Sequence, residues 1–180
     1  MQIILPDILT LEQYKFKQSE RLESIRPANC CNCGMAGLHC HATYKRQSDR
    51  ENKEKDSLNP ILIQRYICPN CRKTCSVLPE CLPPRRWYPW LIQEAVLLAR
   101  LFGMSLNEIS KQHIPSRSTC KRWWEWLAQR SNDFTHQLRT LFPDALGRCP
   151  DFHSFWTICI DKVSLSKAMW YCHQSRVIVP

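Results

Sequence analysis

The sequence predicts an α+β fold, mostly α: a small four-cysteine β unit of the zinc-ribbon kind, followed by a helical domain that contains a helix-turn-helix. Three observations predict it. Two Cys-x-x-Cys pairs, Cys30/Cys33 and Cys68/Cys71, bracket two strand-like stretches. An amphipathic helical pattern then sets in near Tyr88 and dominates the rest of the chain. Within it, a capping box and a short turn separate two helices. The implied segments are an N-terminal helical arm (1–29), the ribbon (30–82), the helix-turn-helix domain (83–143) and a C-terminal helical extension (144–180).

A chain of 180 residues holds one or two small domains. Its opening, Met1-Gln2-Ile3-Ile4-Leu5-Pro6-Asp7, lacks a basic start and breaks at proline, unlike a secretory signal. No apolar run nears the roughly 18 residues that span a bilayer. Twelve cysteines in a chain without an export signal read as metal ligands and core residues, not as a disulfide framework. These points imply a cytoplasmic protein with no membrane partner. The formal net charge is +9, and four thiolates around a divalent cation would lower it to +7. A chain that basic favours a polyanionic partner.

Leu11 to Ile25 reads as a short helix ended by Pro27. Leu38 to Arg46 and Ile61 to Ile67 read as strands, joined through a polar stretch from Gln47 to Asn59 that suits a solvated loop or hairpin tip. The cysteine pairs carry the clearest chemistry. Two residues between cysteines let both sulfurs reach one ion from a tight turn, and two such turns close a tetrahedron. Gly34 stands where that turn needs a permissive backbone. The expected ligands are therefore Cys30, Cys33, Cys68 and Cys71, holding structural Zn²⁺ with no position left for water. Sulfur ligands alone do not exclude an iron–sulfur cluster. Cys31 reads as a neighbour in the turn. A second ion held by His39, Cys40 and His41 with Cys75 or Cys81 stays open, although no further pair has ligand spacing. Cys120, Cys149, Cys159 and Cys172 read as small apolar core residues.

Three strings in this region carry a resemblance. RYICPNCRKTCSVLP, with RPANCCNCG and TYKR upstream of it, is similar to the zinc ribbons of insertion-sequence transposases and transposon-associated accessory proteins. Those have Arg-Tyr-x-Cys-x-x-Cys, a basic residue, then Thr-Phe-Ser. Here Cys75 replaces the usual aromatic, which leaves the ligands intact. The resemblance covers Arg26 to Pro79 and continues more loosely into the helices.

From Tyr88 to Phe102 the apolar residues Leu91, Ile92, Ala95, Val96, Leu98, Ala99 and Phe102 predict an amphipathic helix with a broad buried face, ended by Gly103. Ser105 and Glu108 form a capping box for a short helix to about Gln112. His113-Ile114-Pro115 makes a turn, and Ser116 is placed to cap a helix from Arg117 to at least Gln129. Cys120, Trp123, Trp124 and Leu127 give that helix an apolar side expected to pack on Leu106 and Ile109. Ser118, Lys121, Arg122 and Glu125 lie opposite, with Arg117 at the flank. An apolar back with polar side chains near the N-terminus is what a helix needs to read base edges. PSRSTCKRWWEWL also resembles the recognition helix of transposase and resolvase helix-turn-helix domains. From Arg85 to Arg130 there are eight basic and three acidic residues. The expected DNA contacts are Arg117, Ser118, Lys121 and Arg122, with Arg85 and Arg86 beside Trp87 and Tyr88 as further candidates.

Phe134, Leu138 and Leu141 continue a helical stripe up to Pro143. Two more helices are expected, over Phe152 to Ile160 and Leu165 to His173, capped by Asp151 and Ser164, with Phe155, Trp156, Ile158 and Cys159 in a core. This region, with Trp126 and Trp170, suits either core packing or contact with a second copy, a transposase or an integrase. No catalytic residues are expected. Cut-and-paste transposases need three carboxylates on a mixed sheet, and past Glu125 the chain has only Asp133, Asp144, Asp151 and Asp161. The expectation is a DNA-binding, non-enzymatic protein of a mobile genetic element, serving transposition or regulation. The alternative is an adaptor that recruits or regulates a larger transposase or another partner.

Overall fold

A computed structural model describes residues 2–20, 25–49 and 58–179. The chain divides into two compact units, Met1–Pro89 and Trp90–Val179. The fold is α+β, with the sheet confined to the first unit.

In the first unit, β1 (Gln2–Leu5), β2 (His39–Arg46), β3 (Ile61–Ile67) and β4 (Thr74–Pro79) form a four-stranded sheet in the order β1-β4-β3-β2. β2/β3 and β3/β4 pair antiparallel, while β1 lies parallel to β4 with Gln2 opposite Ser76. α1 (Leu11–Glu20) covers part of the sheet and buries Tyr14, whose hydroxyl donates to the Val77 carbonyl at 2.7 Å. Side chains alternate across a strand, and the packing follows. Ile61, Ile63 and Leu78 cluster with Ile8, Tyr14, Ile25 and Leu82, whereas Tyr66 and Val77 cluster with Cys30, Leu38, Cys68 and Cys75. The second cluster is the floor of the cysteine site.

The expected strands at 38–46 and 61–67 are present, and the helix over 11–25 is seen as Leu11–Glu20, with residues 21–24 outside the described set. Of the polar stretch Gln47 to Asn59, positions 50–57 also lie outside it. Sequence reading missed β1 and β4. The segment 1–29, expected as a helical arm, supplies an edge strand as well as a helix. A register shift between Cys40 and Ala42 places a bulge at His41.

The second unit is helical: α2 (Trp90–Leu101), α3 (Leu106–Gln112), α4 (Arg117–Leu141), α5 (Pro143–Leu146), α6 (Phe152–Val163) and α7 (Leu165–Gln174). α2 ends in a Schellman arrangement. Gly103 takes φ 87°, its N–H reaches the Arg100 carbonyl, and the Met104 N–H reaches that of Ala99. The capping box forms both bonds: Ser105 N–H to Glu108 Oε2 at 2.9 Å and Glu108 N–H to Ser105 Oγ at 3.3 Å. Asp151 accepts from the Ser154 N–H at 2.9 Å and Ser164 from the Lys167 N–H at 3.3 Å, so both expected caps are made. Trp156 is fully buried and its indole N–H donates to Ser131 Oγ at 3.0 Å, joining α6 to α4. No helix among the described residues is long and apolar enough to cross a membrane.

Three details differ from the sequence reading. The buried stripe of α2 runs through Trp90, Gln93, Val96, Leu97 and Leu101, while Leu91 and Phe102 are 75% exposed. The helix is rotated by about one residue from the face that counting apolar positions selects. Ile158 is likewise exposed, while Phe155, Trp156 and Cys159 are buried. Ser116 stands at the N-cap of α4 but makes no capping bond; its hydroxyl meets those of Ser118 and Thr119, each at 3.1 Å.

Candidate metal centre

Two turns built on one plan bring the four cysteines together. In the first, the Cys30 N–H donates to the Met35 carbonyl and the Gly34 N–H to the Cys30 carbonyl, both at 2.8 Å. In the second, Cys68 bonds to Lys73 and Arg72 to Cys68 in the same way, both at 3.0 Å. The residue after each Cys-x-x-Cys is left-handed: Gly34 at φ 74° and Arg72 at φ 58°. The turns are also tied to each other. Lys73 Nζ donates to Asn32 Oδ1 at 3.0 Å, and Asn70 Nδ2 points at Cys33 Sγ at 3.7 Å.

The sulfurs of Cys30, Cys33, Cys68 and Cys71 all lie within 4.8 Å of one another. Two of the separations are Cys30–Cys71 at 3.7 Å and Cys33–Cys68 at 3.6 Å. A tetrahedral ion with metal–sulfur bonds of about 2.3 Å puts its sulfurs about 3.8 Å apart, so the cluster has the size of such a cage. Backbone amides aim at the sulfurs. The amides of Cys33 and Asn32 hold the Cys30 thiol down to about 6, and the Met35 amide lowers that of Cys33. Charge cannot be shared evenly among four close sulfurs. Amides of Cys71 and Asn70 pull Cys68 down, yet burial and the sulfurs of Cys33 and Cys71 leave it raised to about 11. A divalent cation at the centre would remove that conflict by stabilising all four thiolates. The site can therefore hold a metal ion such as zinc. All four predicted ligands converge, and among the described residues they are the single such group of three or more.

The residues left open for a second ion do not gather. His39, Cys40 and His41 are exposed, and Cys81 is half-buried. Cys75 is fully buried, with its sulfur 2.7 Å from that of Cys31. Cys120, Cys149, Cys159 and Cys172 are buried, as a core role requires.

The residues expected to meet DNA fall at two places, one in each unit. Arg117, Ser118, Lys121 and Arg122 are exposed on the first turns of α4, opposite buried Cys120, Trp123 and Leu127. Lys121 pairs with Glu125 at 3.6 Å, and Arg122 donates to Thr119 Oγ1 at 3.3 Å. Trp124, placed by sequence on the apolar side, is half-buried with its ring 5.3 Å from that of Phe152 and the Arg100 guanidinium 5.5 Å over it. Arg85 is exposed in the first unit, while the carbonyl of half-buried Arg86 accepts from Arg46 Nη2 at 2.9 Å. Arg85 lines a concavity of about 360 Å³ with Tyr44, Lys45, Arg46 and Trp87. Sequence reading missed that concavity. Its signal was the TYKR string, which carried part of the zinc-ribbon resemblance but was given no contact of its own.

The two turns and the sheet they sit on define an α+β protein with a four-cysteine cluster that could hold a metal ion. The chain belongs to the family described as Domain of unknown function (DUF6431), whose profile matches residues 30–123, from the first cysteine of the cluster to Trp123 in α4. No curated protein and no solved structure matches the chain.

Proposed function

We propose that this is a non-enzymatic, sequence-specific double-stranded DNA-binding protein of a mobile genetic element. It acts as a transposase accessory subunit or regulator, and structural Zn²⁺ stabilises its ribbon. One observation carries the reading. α4 presents Arg117, Ser118, Lys121 and Arg122 together at its exposed N-terminal end, while Cys120, Trp123 and Leu127 are buried on its other side, next to a capped α3. That is the layout of a helix presented to the major groove. The basic concavity around Lys45, Arg46 and Arg85 supports a phosphate contact from the first unit.

DNA selected from a random pool supplies the binding test. Arg122→Ala and Lys121→Ala should each weaken binding to the selected site about fivefold or more in a mobility-shift assay, with helix content unchanged. Phosphate contacts by Arg117, Lys121 and Arg122 would contribute about −2.7 to the slope of log affinity against log salt. Unaltered affinity in both variants removes the recognition-helix assignment. A second reading, an adaptor for a larger transposase or integrase, is favoured by the exposure of Leu91, Phe102 and Ile114 in the second unit. The adaptor predicts no shift with DNA and no steep salt dependence.

A further inference from the structure

Beside the four-sulfur cluster lies a thiol pair for which a single metal ion has no use. Cys31 projects from the first turn and is exposed; Cys75 sits on β4, fully buried and paired across the sheet with Tyr66. Their chain positions are 44 residues apart, yet their sulfurs stand 2.7 Å apart. A disulfide closes at about 2.05 Å, so a shift of about 0.7 Å brings the two to bonding distance. Neither belongs to the converging set of Cys30, Cys33, Cys68 and Cys71.

We propose that Cys31 and Cys75 are a redox-active dithiol that closes to a disulfide on meeting a low-molecular-weight disulfide of the glutathione class, without drawing on the metal ligands. Exposure fixes the order of events. Cys31 gives its proton to solvent, and its sulfur attacks one sulfur of the small disulfide, forming a mixed disulfide and releasing one thiolate that takes up a proton. Cys75, already against Cys31, displaces the second small sulfur from Cys31, and its proton leaves with that sulfur as the second small thiol. Two protein thiols are oxidised and one small disulfide is reduced to two thiols. The chain enclosed by the new bond, 31–75, contains Cys33, Cys68 and Cys71, three of the four sulfurs of the metal cluster. Closing it restrains those ligands even when the metal has left, so the oxidised unit holds its ion more tightly. This chemistry stands whether or not α4 meets DNA.

The experiment uses the full chain loaded with zinc and treated with oxidised glutathione. Thiols are counted after denaturation without reductant, bridged peptides are mapped by mass spectrometry, and zinc is followed with a chromogenic chelator. Expected are the loss of two thiols, a Cys31–Cys75 linked peptide, retained zinc, and at least about tenfold slower zinc extraction by the chelator. Cys31→Ser should bind zinc one-for-one and lose no thiol pair. Cys75→Ala should instead stop at a stable mixed disulfide on Cys31. Zinc release in step with thiol loss, a zinc-free Cys31→Ser protein, or a lasting glutathione adduct on the unaltered protein each overturns the assignment.

Discussion

Matched turns that differ at one residue offer a controlled substitution. The fifth position of each turn is left-handed, filled by Gly34 in one and by Arg72 in the other, at φ 74° and 58°. A Cβ added at Gly34 would meet nothing within 4 Å, so Gly34→Ala carries no clash, only the strain of an L-residue in that region. That strain is about 1–2 kcal/mol. Removing glycine from the unfolded chain offsets about 0.4–1 kcal/mol of it. The net loss is at most about 1.6 kcal/mol, with a midpoint of about 0.8 kcal/mol, and because folding and metal binding are linked in so small a unit, zinc affinity should fall about fourfold and by no more than about fifteenfold. Arg72→Gly reverses both contributions and should tighten zinc binding by a similar factor. Competition against a chromogenic chelator, on reduced protein at fixed pH, measures both. If the two substitutions move affinity in the same direction, or if Gly34→Ala tightens binding, the equivalence of the turns is wrong.

Acid should empty the site. The folded unit lowers the Cys30 thiol to about 6 from an ordinary value of 9.0, so the stability it contributes is complete above pH about 9 and is lost as pH falls through 6. Acidification below pH about 6 should therefore release zinc, and a zinc content unchanged by that acidification would contradict thiolate ligation at Cys30. In the helical unit, Ser105→Ala removes the hydroxyl that accepts from the Glu108 N–H. It should destabilise that unit by about 1 kcal/mol in thermal unfolding. A change below about 0.2 kcal/mol would mean the box is formed but contributes nothing.

What the sequence made legible was local. Cys-x-x-Cys turns, the Ser105–Glu108 box, and the Asp151 and Ser164 caps are set by residues within a few positions of each other, and each is formed. What escaped was set by distant partners. β1 is four residues long and becomes a strand only because β4 accepts it, 74 positions away. β4 mixes polar and apolar residues and ends in proline, so its pattern alone does not announce a strand. The tilt of α2 is decided by its neighbours in the helical unit, which bury Gln93 and leave Leu91 outside. Cys31 and Cys75 have no ligand spacing, and only the fold brings their sulfurs together.

The parallel pairing of Gln2 with Ser76 also sets a timetable. During synthesis the first residues of the chain must wait until about residue 79 has left the ribosome before their strand has anywhere to dock. The four cysteines wait nearly as long for Cys71. Loop closure over such spans is slow. Until then, the emerging half-unit exposes Ile3, Ile4 and unpaired thiols, and an early zinc supply would shorten that vulnerable interval.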